Sequence, residues 1–184
     1  MRVTAFPKGV FRLASGRLSS TVDLRDGLNG CWSGTYDGMD PDSTPSGGQA
    51  ATRVIDLVRK GGAWYLTFQD TLNSRCNVQG LCGAGSSVSL VWLKLTPALK
   101  VAARQIEAVE DCTTDLSVTD WTGRKNSQEA YLGGPLFELK GGALQVVSVV
   151  SGYGKKLDTL TTLSYRHAAA ERGFLVFSKT VPRN

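Results

Sequence analysis

Few residues in this sequence are equipped for chemistry, and the first to weigh is its single histidine, His167. Ser164-Tyr165-Arg166-His167 brings a hydroxyl near an imidazole in sequence. The run reads as a strand, however, where Ser164 and His167 fall on opposite faces, and no Gly-x-Ser-x-Gly elbow is present, so His167 is expected to serve structure. Glu107, Glu110 and Asp111 form an acidic cluster, but glycoside cleavage needs two carboxylates converging from separated strands. Asp37, Asp40 and Asp42 surround the loop Gly38–Gly48 and could suggest calcium. Pro45 stands where an EF-hand glycine belongs and no glutamate follows at the twelfth position, so a solvated turn is expected. Cys76 and Cys82 are spaced more widely than zinc knuckles and lie far from His167 in sequence. No dinucleotide or Walker fingerprint occurs, and Gly83-Ala84-Gly85 is only a turn. The expectation is no catalytic residue, no metal and no cofactor: a protein that is not an enzyme.

The aromatic residues say more. Trp32 and Tyr36 share a strand face with Gly34 between them, Trp64 shares one with Phe68, and Trp121 follows an acidic turn. Large apolar faces with a polar handle suit a ligand pocket, so these five are the ligand-binding candidates. Core packing is the competing reading.

The elements that would position them are strands. From Gly30 onward, short runs of Val, Leu, Phe, Trp and Thr alternate with glycine turns, the pattern of an antiparallel all-β protein. The clearest hairpin is Thr52 to Phe68, turning at Lys60-Gly61-Gly62, and Leu136 to Val150 repeats the motif as Lys140-Gly141-Gly142-Ala143. Cys31-Trp32-Ser33-Gly34 is echoed by Trp121-Thr122-Gly123, and Leu90-Val91-Trp92 with Lys94 by Leu175-Val176-Phe177 with Lys179. The order is that of a duplicated β-meander. Segments such as Val88–Leu95 and Leu144–Val150 are apolar on both faces, which suits a barrel with a covered wall, a sandwich, or a surface that meets a partner. Thr96 followed by Pro97, with Leu99, Ala103, Ile106 and Val109 near helical spacing, predicts one short helix over 97–109, with a strand pair as the alternative. In Leu157 to Glu171 the β-branched Thr159, Thr161 and Thr162 favour a terminal hairpin, with one helical turn over His167–Glu171 as the alternative.

Four cysteines, Cys31, Cys76, Cys82 and Cys112, allow three pairings. The even count favours disulfides and an oxidising compartment; Cys76–Cys82 and Cys31–Cys112 are the expected bonds, against a reading of free thiols in a cytosolic protein.

The 184 residues fit one domain, and the net charge of +5 sits at its ends. Residues 1–30 hold five basic and two acidic groups, residues 31–130 nine and eleven, and residues 131–184 seven and three. With no basic face interleaved with base-reading residues, nucleic acid is not expected as a partner. Residues 1–29 read as a basic N-terminal arm ahead of a single domain over 30–184. The first 22 residues have transit-peptide composition, an ordinary polar arm being the alternative. No apolar run reaches the length of a secretory core or of a membrane span.

At Val22-Asp23-Leu24, Gly30-Cys31-Trp32 and Thr119-Asp120-Trp121 the chain resembles lipocalins and the wider calycins, which open their barrel on Gly-x-Trp and carry a Thr-Asp-Tyr turn. Trp121 replaces the tyrosine, and no arginine falls at the usual place soon after. Arg166 or Arg172 could cover Trp32 by cation–π stacking, which adds Arg166 to the ligand set. The resemblance implies a closed up-and-down barrel of about eight strands around an apolar cavity; a two-sheet sandwich is the alternative fold. The function expected is an extracytoplasmic β-barrel, periplasmic or secreted, binding a small apolar ligand or a protein partner at its open end. An organelle reached by transit-type targeting is the alternative location. The alternative functions are a structural or homo-oligomeric assembly subunit, packing through apolar strand faces and the N-terminal arm, and a cofactor-free barrel enzyme.

Overall fold

The computed structural model describes residues 1–6, 9–28, 49–73, 86–111, 114–125, 135–151 and 157–182. Thirteen strands account for most of them: β1 (Arg2–Phe6), β2 (Val10–Ser15), β3 (Leu18–Asp23), β4 (Gln49–Lys60), β5 (Ala63–Asn73), β6 (Ser86–Leu95), β7 (Val101–Asp111), β8 (Leu116–Trp121), β9 (Gly123–Lys125), β10 (Pro135–Phe137), β11 (Ala143–Ser151), β12 (Leu157–Arg166) and β13 (Leu175–Pro182). A 3₁₀ segment, His167–Arg172, joins the last two. Eight strands form one sheet in the order β13-β12-β11-β8-β7-β6-β5-β4, with neighbouring strands antiparallel. The all-β, up-and-down expectation holds. The closed barrel does not: β4 and β13 end the sheet and do not pair with each other.

The two Lys-Gly-Gly-Ala motifs fold alike. Gly61 and Gly62 have φ of 59° and 77°, Gly141 and Gly142 of 57° and 74°. Two successive positive φ values mark the tight hairpin turn whose twist matches its strands, and both turns bring the lysine opposite the alanine. Beyond the turns the copies diverge. β4 and β5 pair along their whole length, whereas β10 pairs with β9, and only Lys140 bridges to Ala143 across the second turn.

Apolar residues on both faces of β5 and β6 are explained by two covers. On the outer face Leu66, Phe68, Val91, Leu93 and Leu95 pack against Phe11, Leu13, Val22 and Leu24 of the N-terminal segment, where β1, β2 and β3 form a three-stranded sheet. The basic N-terminal stretch is thus a second layer, locally a sandwich. On the inner face Tyr65, Val88, Leu90 and Trp92 meet Phe137, Leu144, Val146, Leu163, Tyr165 and Phe174.

The helix expected over 97–109 is absent. Thr96 to Lys100 is a turn, with Leu99 N–H on Thr96 O and Thr96 N–H on Lys100 O, and Leu99 takes φ of 60°, which no α-helix accommodates. Val101–Asp111 then runs back beside β6. Local propensity loses because an unpaired β6 would leave a row of backbone groups without partners in the middle of the sheet. A terminal hairpin is present, but it pairs β12 with β13 beyond Glu171, and His167–Arg172 forms a 3₁₀ segment between the two strands.

Gly173 ends that segment at φ 69°, and a Cβ there would run into the Gln105 amide and the Trp92 ring. Gly173→Ala is therefore expected to cost about 2–3 kcal/mol by urea unfolding. Gly61→Ala shares the positive φ but opens on empty space, and should cost only about 1 kcal/mol.

Candidate functional site

The predicted ligand residues do not gather in one place. Phe68 is fully buried on the outer face, its ring 5.2 Å from Phe11 beneath the N-terminal sheet. Trp64 packs on the same side with the Arg59 guanidinium 5.2 Å from its ring centre. Trp121 closes β8 and packs on the inner cluster, and Arg166 is exposed at the end of β12. Trp32, Tyr36 and all four cysteines, Cys31, Cys76, Cys82 and Cys112, lie outside the described residues, as does the Gly38–Gly48 loop. Of the lipocalin-like motifs, Thr119-Asp120-Trp121 is the end of a strand rather than a turn.

What the structure does bring together is a set of polar groups across the inner face. Asp56 and Tyr165 sit on strands six positions apart in the sheet, a flat separation of roughly 29 Å at ordinary strand spacing, yet the Tyr165 hydroxyl donates to Asp56 Oδ2 at 2.8 Å. The sheet is therefore curled. His167 Nδ1 lies 3.0 Å from Oδ2 and 3.1 Å from Oδ1, and the Leu57 N–H donates to Oδ1 at 2.8 Å. The carboxylate is only 8% exposed, while the imidazole is 54% exposed. The bulge at Ile55, where the register shifts between Val54 and Asp56, turns the acid inward beside Thr67. Lys60 Nζ adds an ion pair at 2.7 Å to Glu171, whose carboxyl it lowers below the ordinary glutamate range.

Two glutamines extend the arrangement. Gln105 on β7 accepts from Phe174 N–H at 2.7 Å and donates to Phe174 O at 3.3 Å. Gln69 on β5 accepts from Phe137 N–H at 3.2 Å and donates to Pro135 O at 2.9 Å. Each amide acts as a short stretch of neighbouring strand, and with the Trp92 indole donating to Ala170 O at 2.8 Å they seat β10 and the 3₁₀ segment on the concave side. Arg53 on β4 reaches Glu138 at 3.1 Å across the same space. Among the three acids singled out in the sequence, Glu107 lies opposite Leu90, and burial raises its carboxyl above the usual range. Asp111 is buried and accepts the Ser87 hydroxyl at 3.2 Å. These groups hold strands together; the His167–Asp56 pair has the polarity of a catalytic dyad, but its donors converge on a joint between sheet ends.

The surface with unmet demand lies elsewhere. β13 is exposed along nearly its whole length, with Leu175, Val176 and Phe177 at 62%, 45% and 67%, and among the described residues it pairs only with β12. Its outer cross-strand rows run Val147-Thr162-Phe177 and Val149-Leu160-Lys179, so Val147, Val149 and Leu160 form an apolar strip beside the edge, between the more polar rows Gln145-Ser164-Leu175 and Ser151-Asp158-Val181. Sequence reasoning noted the Leu175-Val176-Phe177 echo but missed the edge, and it missed Asp56 altogether. The signal for Asp56 was an acid set inside the apolar run Val54-Ile55-Asp56-Leu57-Val58. No family model, curated protein or solved structure matches the chain.

Asp56→Ala strands two side-chain donors and is expected to cost about 3 kcal/mol, Tyr165→Phe about 1–2 kcal/mol. Burial, with the Asp56 carboxylate beside it, pushes the Tyr165 phenol above the usual tyrosine range. The folded chain thus keeps a proton that the unfolded chain loses near pH ~10. The stabilisation is complete below that value and falls as pH rises beyond it. Urea titrations at about pH 8 and pH 11 should show a larger alkaline loss in the wild type than in Tyr165→Phe.

Proposed function

We propose that this protein is a non-enzymatic assembly component that works by binding a protein partner, and that the partner seats on the β13 edge and the apolar strip beside it. The observation that carries this reading is the exposure of Leu175, Val176 and Phe177 on both faces of a terminal strand. An edge strand offers a row of backbone donors and acceptors, and natural edges are normally blunted by charge, proline or cover. Here Lys179 and Pro182 stand only in the far half of the strand. The half nearer the 3₁₀ segment is uncharged, and an added strand would receive main-chain hydrogen bonds there and side-chain contacts on alternate faces.

The internal echo supports the same reading. Leu90, Val91 and Trp92 of β6 are 0%, 0% and 5% exposed because β5 and β7 flank them and the N-terminal sheet covers their outer side. Leu175, Val176 and Phe177 carry the same pattern with one neighbour and no such cover among the described residues. Pocket binding of a small apolar ligand draws less support, since Phe68 and Trp64 face the outer side and Trp121 the inner one. An oxidising, extracytoplasmic location with disulfides at the four cysteines belongs to the same proposal, resting on their even number.

A photo-crosslinking amino acid placed at Phe177 in producing cells tests it. A discrete protein adduct is expected from that position and none from Arg59, on the opposite edge strand; no protein adduct at Phe177 overturns the reading.

A further inference from the structure

We infer that the partner on the β13 edge is a second copy of this chain, joined antiparallel about a two-fold axis at Ser178; this rests on the edge-binding reading above. Residues opposite each other in an antiparallel pair point to the same side of the sheet, so the sum of two facing residue numbers in a symmetric pair must be even. Only the registers centred on Ser178 and Lys179 pair seven residues of β13; every other register pairs five or fewer. Centred on Ser178, Leu175 faces Val181, Val176 faces Thr180 and Phe177 faces Lys179, so the full stretch from Leu175 to Val181 is paired. Centred on Phe177, only Leu175 to Lys179 pair, because extending the ladder past Leu175 meets the bend at Gly173, φ 69°. Centred on Lys179, the two ammonium groups face one another, which is repulsive, and Pro182 enters the pair without an N–H to give.

The Ser178 register is also chemically self-complementary. Lys179 is the only charge in β13, and this register lays each copy's lysine along the partner's phenylalanine, where the alkyl stem covers the ring and the ammonium meets its face. Leu175 and Val181, on the same outer face, meet across the axis at both ends. Ser178 is held by its hydroxyl contact with Thr161 at 2.9 Å, so the residue on the axis is already ordered. A parallel pair in register would stack lysine on lysine, which disfavours the alternative direction. The same edge in one copy thus satisfies its equivalent in the other, as a closed two-fold contact requires.

Sedimentation velocity on the full chain at micromolar concentration tests the proposal, with far-UV circular dichroism to confirm that each variant is folded. The wild type is expected to sediment as a dimer. Phe177→Lys places two lysine pairs across the axis at an exposed position and should weaken the dimer by about a hundredfold or more. Combining Phe177→Lys with Lys179→Glu converts both pairs to Lys–Glu and should restore it. A monomeric wild type, a dimer indifferent to Phe177→Lys, or a double variant that stays monomeric overturns the inference. A monomer whose Phe177 crosslinker captures a different polypeptide also overturns it while leaving the edge-binding reading intact, and a monomer that captures none overturns both.

Discussion

The curl of this fold depends on one buried carboxylate. Asp56 accepts from its own neighbour's N–H, from Tyr165 and from His167, and so joins the first strand of an eight-stranded sheet to the seventh. A carboxylate out of water demands such donors, because an unsatisfied charge there costs several kcal/mol. β4 supplies one of them itself, and folding supplies the other two by bringing β12 and the start of the 3₁₀ segment over β4. Removing water from that joint in turn strengthens it, since the polarity of each donor is less screened inside the curl than on a wet face. Lys60–Glu171 stands outside the joint, and with both side chains more than a third exposed it contributes little.

Closure by backbone is what the fold forgoes. Eight residues, the 3₁₀ segment followed by Gly173 and Phe174, separate β12 from β13 and are drawn into the concave side by Trp92 and Gln105, with Ala170 and Phe174 buried there. β10 enters from elsewhere and is clipped by Gln69. The inner face is thus filled by the chain's own irregular segments, whose backbone groups would be orphaned but for two side-chain amides that imitate a strand. The arrangement has a geometric consequence. With the 3₁₀ segment lying toward β4 and the inner core, β13 leaves it on the far side of β12 and remains an edge.

Period and turn chemistry make the strands legible: the first Gly-Gly hairpin, the second Gly-Gly turn, the doubly apolar β6 and β11 and the terminal hairpin follow from residues alone. Over 97–109 the helix signals of Thr96-Pro97 and an alanine-rich run mislead, because the deciding quantity, β6's need for a neighbour, is non-local. Charge marks the N-terminal stretch as an arm, although Phe11, Leu13 and Val22 already alternate as a half-buried sheet does. Asp56 and His167 were illegible as a pair. A bulge reverses the facing of part of β4, and no sequence pattern announces a contact between residues so far apart in the chain.

The repeated Leu-Val-aromatic motif shows why burial is not a property of residues. In β6 it is flanked on both sides and covered on both faces; in β13 nearly the same residues stand in water. Exposing three large apolar side chains in a row stabilises nothing in the isolated chain, and each would contribute roughly 1.5–3 kcal/mol if buried. The uncovered edge therefore carries binding free energy that the fold itself leaves unused. The lysine at position 179 limits how that energy can be drawn: it disfavours an edge with a like charge opposite it, admits an aromatic one, and so narrows an otherwise sticky strand to partners of complementary sequence.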